Sequence, residues 1–147
     1  MVYLMFKVNP YLNFNGKTEE AFNFYKSVFG GEFTALQRFK DIPASEQAMP
    51  EVEGERIMHV SLPIGEGTTL MGTDISEGMG MSLTQGNNVY LSLHPDSKEE
   101  AERLFKQLSA GGKVEMPLEK MFWGAYFASF TDKFGVGWMI NYEEGKK

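Results

Sequence analysis

The feature that most constrains this chain is a sequence pattern that occurs twice. Residues 11–31 read YLNFNGKTEEAFNFYKSVFGG, and residues 90–112 read YLSLHPDSKEEAERLFKQLSAGG. With Tyr11 placed on Tyr90, the Glu-Glu-Ala and Gly-Gly steps of the two copies follow in the same order. An internal repeat decides architecture before any single motif does, because each copy is one supersecondary unit. The chain is therefore predicted to consist of two related modules.

Each module is predicted to begin with a strand and a helix. Apolar and polar residues alternate in VNPYLNF (8–14) and in NNVYLSL (87–93), which is the period of a strand. Thr18 and Ser97 are the expected N-caps of the helices that follow. Apolar residues then recur at helical spacing, and a Gly-Gly pair ends each helix.

The second half of each module is predicted to be β-rich. EFTALQRF (32–39) and KVEM (113–116) are strand candidates, and hairpins are expected at 56–73 and 124–142. Each half therefore reads βαβββ, and the fold class is predicted to be α+β.

The chain is predicted to be a single domain spanning 1–147. Residues 1–75 form the first module, residues 88–147 form the second, and the Gly-rich polar stretch 76–87 joins them. The loop at 40–55 has the length of a lid or binding loop.

Strand alternation sorts the side chains of each sheet by face. Leu12, Val60 and Leu70 are expected to face the helix, which leaves a semi-polar face on the other side. The residues predicted to bind a ligand there, with one from a loop, are Asn9, Tyr11, Asn13, Ser61, Met71, Asn88, Tyr90, Trp123, Phe127 and Met139. A mixed face of this kind favours a cleft for a small molecule. The alternatives are a solvated face and an interface with another chain.

His59 is the candidate acid–base residue, because alternation places it on the semi-polar face. An imidazole can take up and release a proton at neutral pH. The alternative interpretation is a histidine that is hydrogen-bonded to a tyrosine or serine of a neighbouring strand.

Composition excludes several classes of function. The formal net charge is −6 without a cluster of basic residues, so nucleic acid is not expected as a partner. The chain has no cysteine, which excludes disulfides and thiolate chemistry and fits a cytoplasmic location. The apolar N-terminus (1–12) is interpreted as a strand and not a signal peptide, because no basic residue precedes it. No apolar run approaches ~18 residues, so no membrane span is expected.

Three stretches of this chain resemble one known family. They are YLNFNG (11–16), FYKSVFG (24–30) and FWGAYFASFTDKFGVGW (122–138). With the paired βαβββ pattern and His59, they resemble the vicinal oxygen chelate superfamily of glyoxalases, extradiol dioxygenases and bleomycin-resistance proteins. Within it, the likeness is to the PhnB-like branch, over nearly the whole chain.

The resemblance implies a glyoxalase-like fold, in which two modules form a cupped mixed sheet with the helices outside and chains form homodimers. In the metal-dependent members, each module supplies two ligands, typically His and Glu, to a divalent metal that acts as a Lewis acid. The matching positions here hold Asn9, Asn88, Met71 and Met139. Thioethers are poor ligands for hard divalent ions. We therefore expect no metal and no other cofactor.

These observations lead to three hypotheses. The first is a protein that binds a small organic molecule in the cupped cleft without a metal. The second is a lyase, isomerase or transferase-type enzyme that uses His59 as acid or base, or a non-standard divalent metal site. The third is a structural module whose semi-polar face is covered by another chain.

Overall fold

The computed structural model describes residues 5–43 and 54–145. The chain divides into two compact units, Met1–Thr84 and Gln85–Lys147, here called unit 1 and unit 2. The module limits expected from the sequence stay a prediction. Most of the loop at 40–55 lies outside the described residues.

Each unit contains one helix and one mixed four-stranded sheet. In unit 1 the elements are β1 (Tyr11–Phe14), α1 (Thr18–Phe29), β2 (Ala35–Arg38), β3 (Ile57–Ile64) and β4 (Thr68–Asp74). In unit 2 they are β5 (Leu91–Leu93), α2 (Lys98–Ser109), β6 (Lys113–Lys120), β7 (Ala125–Thr131) and β8 (Gly137–Glu143). The predicted α+β class and the βαβββ order of each half are confirmed.

The two sheets share one topology. Strand order is β1-β4-β3-β2 in unit 1 and β5-β8-β7-β6 in unit 2. The first strand of each unit runs parallel to the last, and the other neighbours are antiparallel. The first strand is therefore a sheet edge, joined to the rest through the last strand alone.

The helix side of each sheet forms the hydrophobic core. In unit 1, Phe22 and Tyr25 of α1 are fully buried. A Cβ on Gly72 of β4 would lie 2.5 Å from the Phe22 ring, so this glycine allows the helix to approach the sheet closely. In unit 2, Leu108 of α2 and Trp138 of β8 are fully buried. Burial of apolar surface of this kind is the main stabilising contribution in both units.

One buried carboxylate in each unit accepts several hydrogen bonds. Asp74, at the end of β4, accepts the backbone N–H of Thr18 (3.1 Å), the hydroxyl of Thr18 (2.7 Å) and the N–H of Ile57 (2.9 Å). Asp132, in the turn after β7, accepts two turn N–H groups and the indole N–H of Trp138. Both carboxylates therefore satisfy donors that burial would otherwise leave without a partner.

The predicted N-caps have different outcomes. Ser97 caps α2, because its side chain accepts the N–H of Glu100 at 3.1 Å. The prediction for Thr18 is wrong, since Lys17 occupies the N-cap position and Thr18 is the first helical residue. The Thr18 hydroxyl instead donates to Asp74. Asp74, at the end of β4, therefore accepts the first N–H of the helix in place of an N-cap side chain. Short-range sequence patterns contain no sign of this contact.

The first strands are shorter than predicted. Residues 5–10 form no strand, so the interpretation of the N-terminus as a strand is wrong for these six residues. In contrast, β6 extends four residues beyond the predicted KVEM segment.

The pairing registers also correct the predicted alignment of the two halves. Met71 and Met139 occupy equivalent places, each across from a serine of the preceding strand. On the other side, Met71 pairs with Tyr11, whereas Met139 pairs with Ser92. Ser92, and not Tyr90, is therefore the counterpart of Tyr11 in the ladder. A shift of two residues keeps a side chain on the same face, so the predicted faces survive the error.

In the part of the chain that the structure describes, no helix is long and apolar enough to cross a bilayer.

The carboxylate of Asp74 should be required for the stability of unit 1. We expect Asp74→Asn to lower the free energy of unfolding by about 1–3 kcal/mol, because an amide N–H would face a backbone donor in a buried place. Urea unfolding followed by circular dichroism measures the change. Asp41→Asn is the control, because Asp41 accepts one N–H, from Arg38, at an exposed position. Equal stability losses in the two variants would contradict this prediction.

Candidate functional site

The semi-polar face of unit 1 contains a hydrogen-bonded cluster of Tyr11, His59 and Ser61, here called the hydroxyl–imidazole cluster. The Nδ1 atom of His59 lies 3.0 Å from the Tyr11 hydroxyl, and the Nε2 atom lies 2.7 Å from the Ser61 hydroxyl. The rings of Tyr11 and His59 are tilted, with centroids 5.7 Å apart. The three residues belong to β1 and β3, with β4 between these strands. The cluster therefore spans three of the four strands.

Both ring nitrogens of His59 are engaged by hydroxyl groups. In neutral imidazole one nitrogen donates and the other accepts. With a neutral ring, one of the two hydroxyls therefore accepts a hydrogen bond from His59. That hydroxyl keeps its own proton for another acceptor. Partial burial of Tyr11 raises the pKa of its phenol, so the phenol is protonated at neutral pH. This cluster can offer a ligand both a donor and acceptors.

The remaining predicted residues of unit 1 have separate roles. Met71 pairs in the ladder with both Tyr11 and Ser61, so it lies beside the cluster. The side-chain oxygen of Asn9 accepts the backbone N–H of Thr69 at 3.0 Å, which extends the pairing of β1 with β4. Asn13 is exposed on β1.

The semi-polar face of unit 2 contains a different cluster, formed by Tyr90, Glu115, Ser129 and Thr131 and here called the hydroxyl–carboxylate cluster. The Tyr90 hydroxyl donates to both carboxylate oxygens of Glu115, at 2.8 and 2.9 Å. Ser129 donates to Oε1 and Thr131 to Oε2, each at 3.0 Å. These bonds, with that from Tyr90 the largest cause, lower the pKa of Glu115. The bond to Glu115 is also the largest cause of the raised pKa of Tyr90.

Two backbone features make this cluster possible. The register of β6 against β7 shifts between Val114 and Met116, so Glu115 is an additional residue in the strand. A bulge of this kind re-aims a side chain. A Cβ on Gly137 of β8 would lie 2.8 Å from the Tyr90 ring, so the bare glycine leaves room for this ring. Tyr90 can then reach from the edge of the sheet to β6.

Aromatic side chains continue the face beyond the cluster. Phe127 lies two residues before Ser129 on β7 and is half-buried. Its ring centroid is 6.2 Å from that of Trp123, and Trp123 is 54% exposed. Met139 pairs with Ser129 in the ladder. Asn88 is exposed ahead of β5.

The donor chemistry at the superfamily's metal positions does not fit a hard divalent ion. Asn9 uses its amide oxygen for the Thr69 N–H, and the last-strand positions offer the thioethers of Met71 and Met139. Hard ions prefer carboxylate or imidazole ligands. Within residues 5–43 and 54–145, no group of three or more His, Asp or Glu side chains could hold a metal ion.

A small cavity in unit 2 is lined by none of the residues predicted to bind a ligand. It has a volume of about 190 Å³ and is lined by His94, Pro95, Asn141, Tyr142 and Glu143. Binding sites for drug-sized molecules usually enclose about 300–1,000 Å³. His94 is exposed, and its Nε2 atom lies 3.0 Å from the Ser92 hydroxyl.

Glu115 and Thr131 were not among the residues predicted from the sequence to bind a ligand. Strand alternation is the signal that finds such residues, and it places Thr131 on the face of Phe127 and Ser129. It also places Glu115 on the face of Lys113, which pairs with Thr131 in the ladder. Ser129, which lies on the same face, was not among the predicted binding residues either.

Comparison with known proteins identifies the family. A model of the family described as 3-demethylubiquinone-9 3-methyltransferase matches residues 6–141. The protein YjdN of Escherichia coli K12 is 33% identical over 137 residues, which cover 91% of this chain and 93% of that protein. The chain belongs to this PhnB-like family.

Solved structures agree with this assignment. The protein PA1353 of Pseudomonas aeruginosa is 41% identical, with a TM-score of 0.82 over 94% of this chain and 98% of that one. A Bacillus cereus PhnB protein, described as a putative 3-demethylubiquinone-9 3-methyltransferase, is 27% identical, with a TM-score of 0.74 over 92% and 98% of the chains.

A more distant structure shows the fold alone. It is the glyoxylase/bleomycin resistance protein/dioxygenase domain from Frankia, which is 12% identical, with a TM-score of 0.65 over 97% of this chain and all (100%) of that one. The predicted PhnB-like membership and glyoxalase-like fold are thus confirmed.

Glu115 should control the ionisation of Tyr90 in this PhnB-like chain. We expect Glu115→Gln to lower the pKa of Tyr90 toward its ordinary value, because a neutral amide removes the negative charge that opposes formation of the phenolate. A pH titration of the tyrosine ring carbons by NMR measures the change. Tyr11 is the internal control, because its raised pKa has burial as its cause. An unchanged pKa of Tyr90 in the variant would refute the assigned hydrogen bond.

Proposed function

We propose that this PhnB-like protein binds a small organic molecule on the semi-polar sheet faces, without the metal of the superfamily. The observation that carries the proposal is the organised polar cluster on each face. A face that is merely solvated does not need hydroxyls held by an imidazole or a carboxylate across three or more strands. Groups fixed in this way can bind a ligand at low entropic cost.

The chemistry of the faces fits a ligand with both apolar and polar parts. Met71 lies beside the hydroxyl–imidazole cluster, and Met139 pairs with Ser129 of the hydroxyl–carboxylate cluster. Methionine is flexible and polarisable and adapts to different apolar shapes. The clusters supply the few polar groups that orient a ligand.

The donor set supports loss of the superfamily metal. Asn9 is committed to the backbone of β4, and a thioether is too soft for magnesium or manganese. Formation of a homodimer and a cytoplasmic location stay predictions of the sequence.

A methionine-methyl NMR titration tests ligand binding directly. We expect phenol, indole or phenethyl alcohol to shift the methyl signal of Met71 or Met139 in a saturable manner, because these side chains lie on the proposed faces. Met58 is the control reporter, since it alternates with His59 along β3. Saturable shifts confined to Met58, or absent from all three methionines, would refute the proposal.

Variants then connect binding to each cluster. For a probe that shifts Met71, Tyr11→Phe should weaken binding about two- to tenfold, the value of one hydrogen bond. Tyr90→Phe should do the same for a probe that shifts Met139. Tyr126→Phe is the matched control, because Tyr126 alternates with Phe127 and stacks on Tyr142.

An enzyme that uses His59 as acid or base is the second candidate. The observation in its favour is the short Nε2 contact to Ser61, with Nδ1 held by Tyr11. An imidazole positioned in this way can move a proton to or from a hydroxyl. We rank this candidate second because both nitrogens already have partners, so a substrate would have to displace one hydroxyl or react through it.

The His59 hypothesis predicts metal-independent turnover that depends on the imidazole. The family description names a methyl transfer, so catechol with S-adenosylmethionine is a suitable probe pair, with EDTA present and products followed by mass spectrometry. If His59 takes the acceptor proton, His59→Gln should reduce turnover by at least about a hundredfold. His94→Gln is the matched control and should retain activity. Equal turnover of wild type and His59→Gln would exclude this role.

A further inference from the structure

The hydroxyl protons of unit 2 determine what its face can bind. Each of Tyr90, Ser129 and Thr131 has a single hydroxyl proton, and each proton is directed at Glu115. The carboxylate itself is ionised, because these bonds lower its pKa, and it therefore has only lone pairs to offer. The cluster thus presents oxygen acceptors and no donor to an incoming molecule.

The face of unit 1 differs, because it offers a donor as well as acceptors. There the central group is His59, whose ring donates from at least one nitrogen to a hydroxyl and leaves that hydroxyl's own proton available. The exchange of an imidazole for a carboxylate therefore changes the hydrogen bonds that a ligand can make. A ligand of the unit 2 face has to supply the donors itself.

The charges around the cluster indicate what kind of donor fits. Glu115 is exposed, although Ser129 beside it is only 7% exposed. A second carboxylate, Glu119, pairs with Phe127 in the ladder. Lys113 adds a positive charge that acts on Glu115 but is the smallest of the influences on its pKa. A cationic donor gains both charge attraction and charge-assisted hydrogen bonds here.

The aromatic neighbours indicate the rest of the ligand. Phe127 is two residues from Ser129 along β7, a separation of about 7 Å, and the exposed Trp123 ring contacts Phe127 edge-on. An aromatic ring can pack on these two side chains, and an ammonium group is attracted to their faces.

We propose that the semi-polar face of unit 2 selects a small organic cation, with its ammonium group bound by the hydroxyl–carboxylate cluster and an aromatic body against Phe127 and Trp123. This inference rests on the proposed function and specifies its ligand class. The preference for a cation arises because the three hydroxyls already donate their hydrogen bonds to Glu115 and leave only acceptors for a ligand.

Three probes with similar bodies and different charges test the inference. Phenethylamine, phenethyl alcohol and hydrocinnamate are titrated into the full-length protein, with the amides of Ser129 and Thr131 and the Met139 methyl group as NMR reporters. We expect phenethylamine to bind at these reporters roughly tenfold to a hundredfold more tightly than phenethyl alcohol, and hydrocinnamate to bind most weakly. Calcium chloride is a fourth probe, because a metal ion also seeks oxygen acceptors.

Two variants separate the carboxylate from general charge. Glu115→Gln should remove the preference for phenethylamine over phenethyl alcohol. Glu99→Gln removes the same charge from an exposed position in the first turn of α2, on the helix side of the sheet, and should change the preference less than about threefold. Circular dichroism confirms that both variants are folded.

The outcomes distinguish this inference from the proposed function. Equal binding of the amine and the alcohol at the unit 2 reporters would overturn the inference and leave small-molecule binding intact. Binding that shifts only Met71, or calcium binding that displaces the amine at millimolar concentration, would also overturn it. If no probe shifts Met71 or Met139, the inference and the proposed function both fail.

Discussion

The architecture of unit 1 depends on one buried carboxylate. Asp74 ends β4, and its two oxygens accept the first N–H of α1, the Thr18 hydroxyl and the N–H that begins β3. The β3–β4 hairpin and the distant helix α1 are therefore joined at one point. This joint sets the height of α1 over the sheet, and the bare Gly72 then lets Phe22 pack against β4. With the helix on one side of the sheet, the hydroxyl–imidazole cluster occupies the other side.

The two units use one scaffold for two different polar centres. In each, tyrosine and serine hydroxyls on the face opposite the helix are held by a central side chain. That side chain is His59 on β3 in unit 1 and Glu115 on β6 in unit 2. Duplicated modules can diverge in this way because the helix side maintains the fold while the face is free to change. The metal-dependent members of the superfamily carry metal ligands on this scaffold, and the present chain carries hydrogen-bonded clusters on its two sheet faces.

Sequence periodicity was sufficient for the fold and for the faces, but not for the contacts between strands. The repeat and the alternation in β3 and β7 located the modules and placed His59 and Ser61 on one face. Alternation along β6 from Lys113 also places Glu115 on this face, but it contains no sign of the contact with Tyr90, which comes from the opposite edge of the sheet. The repeat also aligned Tyr11 with Tyr90, since a slip of two residues leaves the polar pattern unchanged. The hydrogen bonds of Asp74 to the start of α1 were missed because Asp74 is far from Thr18 in sequence.

Gly137 makes the electrostatics of the unit 2 face sensitive to a single backbone position. Because Gly137 has no side chain, the Tyr90 ring can pack against it. The hydroxyl of this ring is one of the three that donate hydrogen bonds to Glu115. Any larger residue at position 137 would displace the Tyr90 ring and leave the Glu115 carboxylate with fewer hydrogen-bond donors. Gly137→Ala would thus remove a hydrogen bond from the Glu115 carboxylate and raise its pKa. Substitution of this one glycine would therefore change the charge distribution of the face even though Tyr90, Glu115, Ser129 and Thr131 all stayed the same.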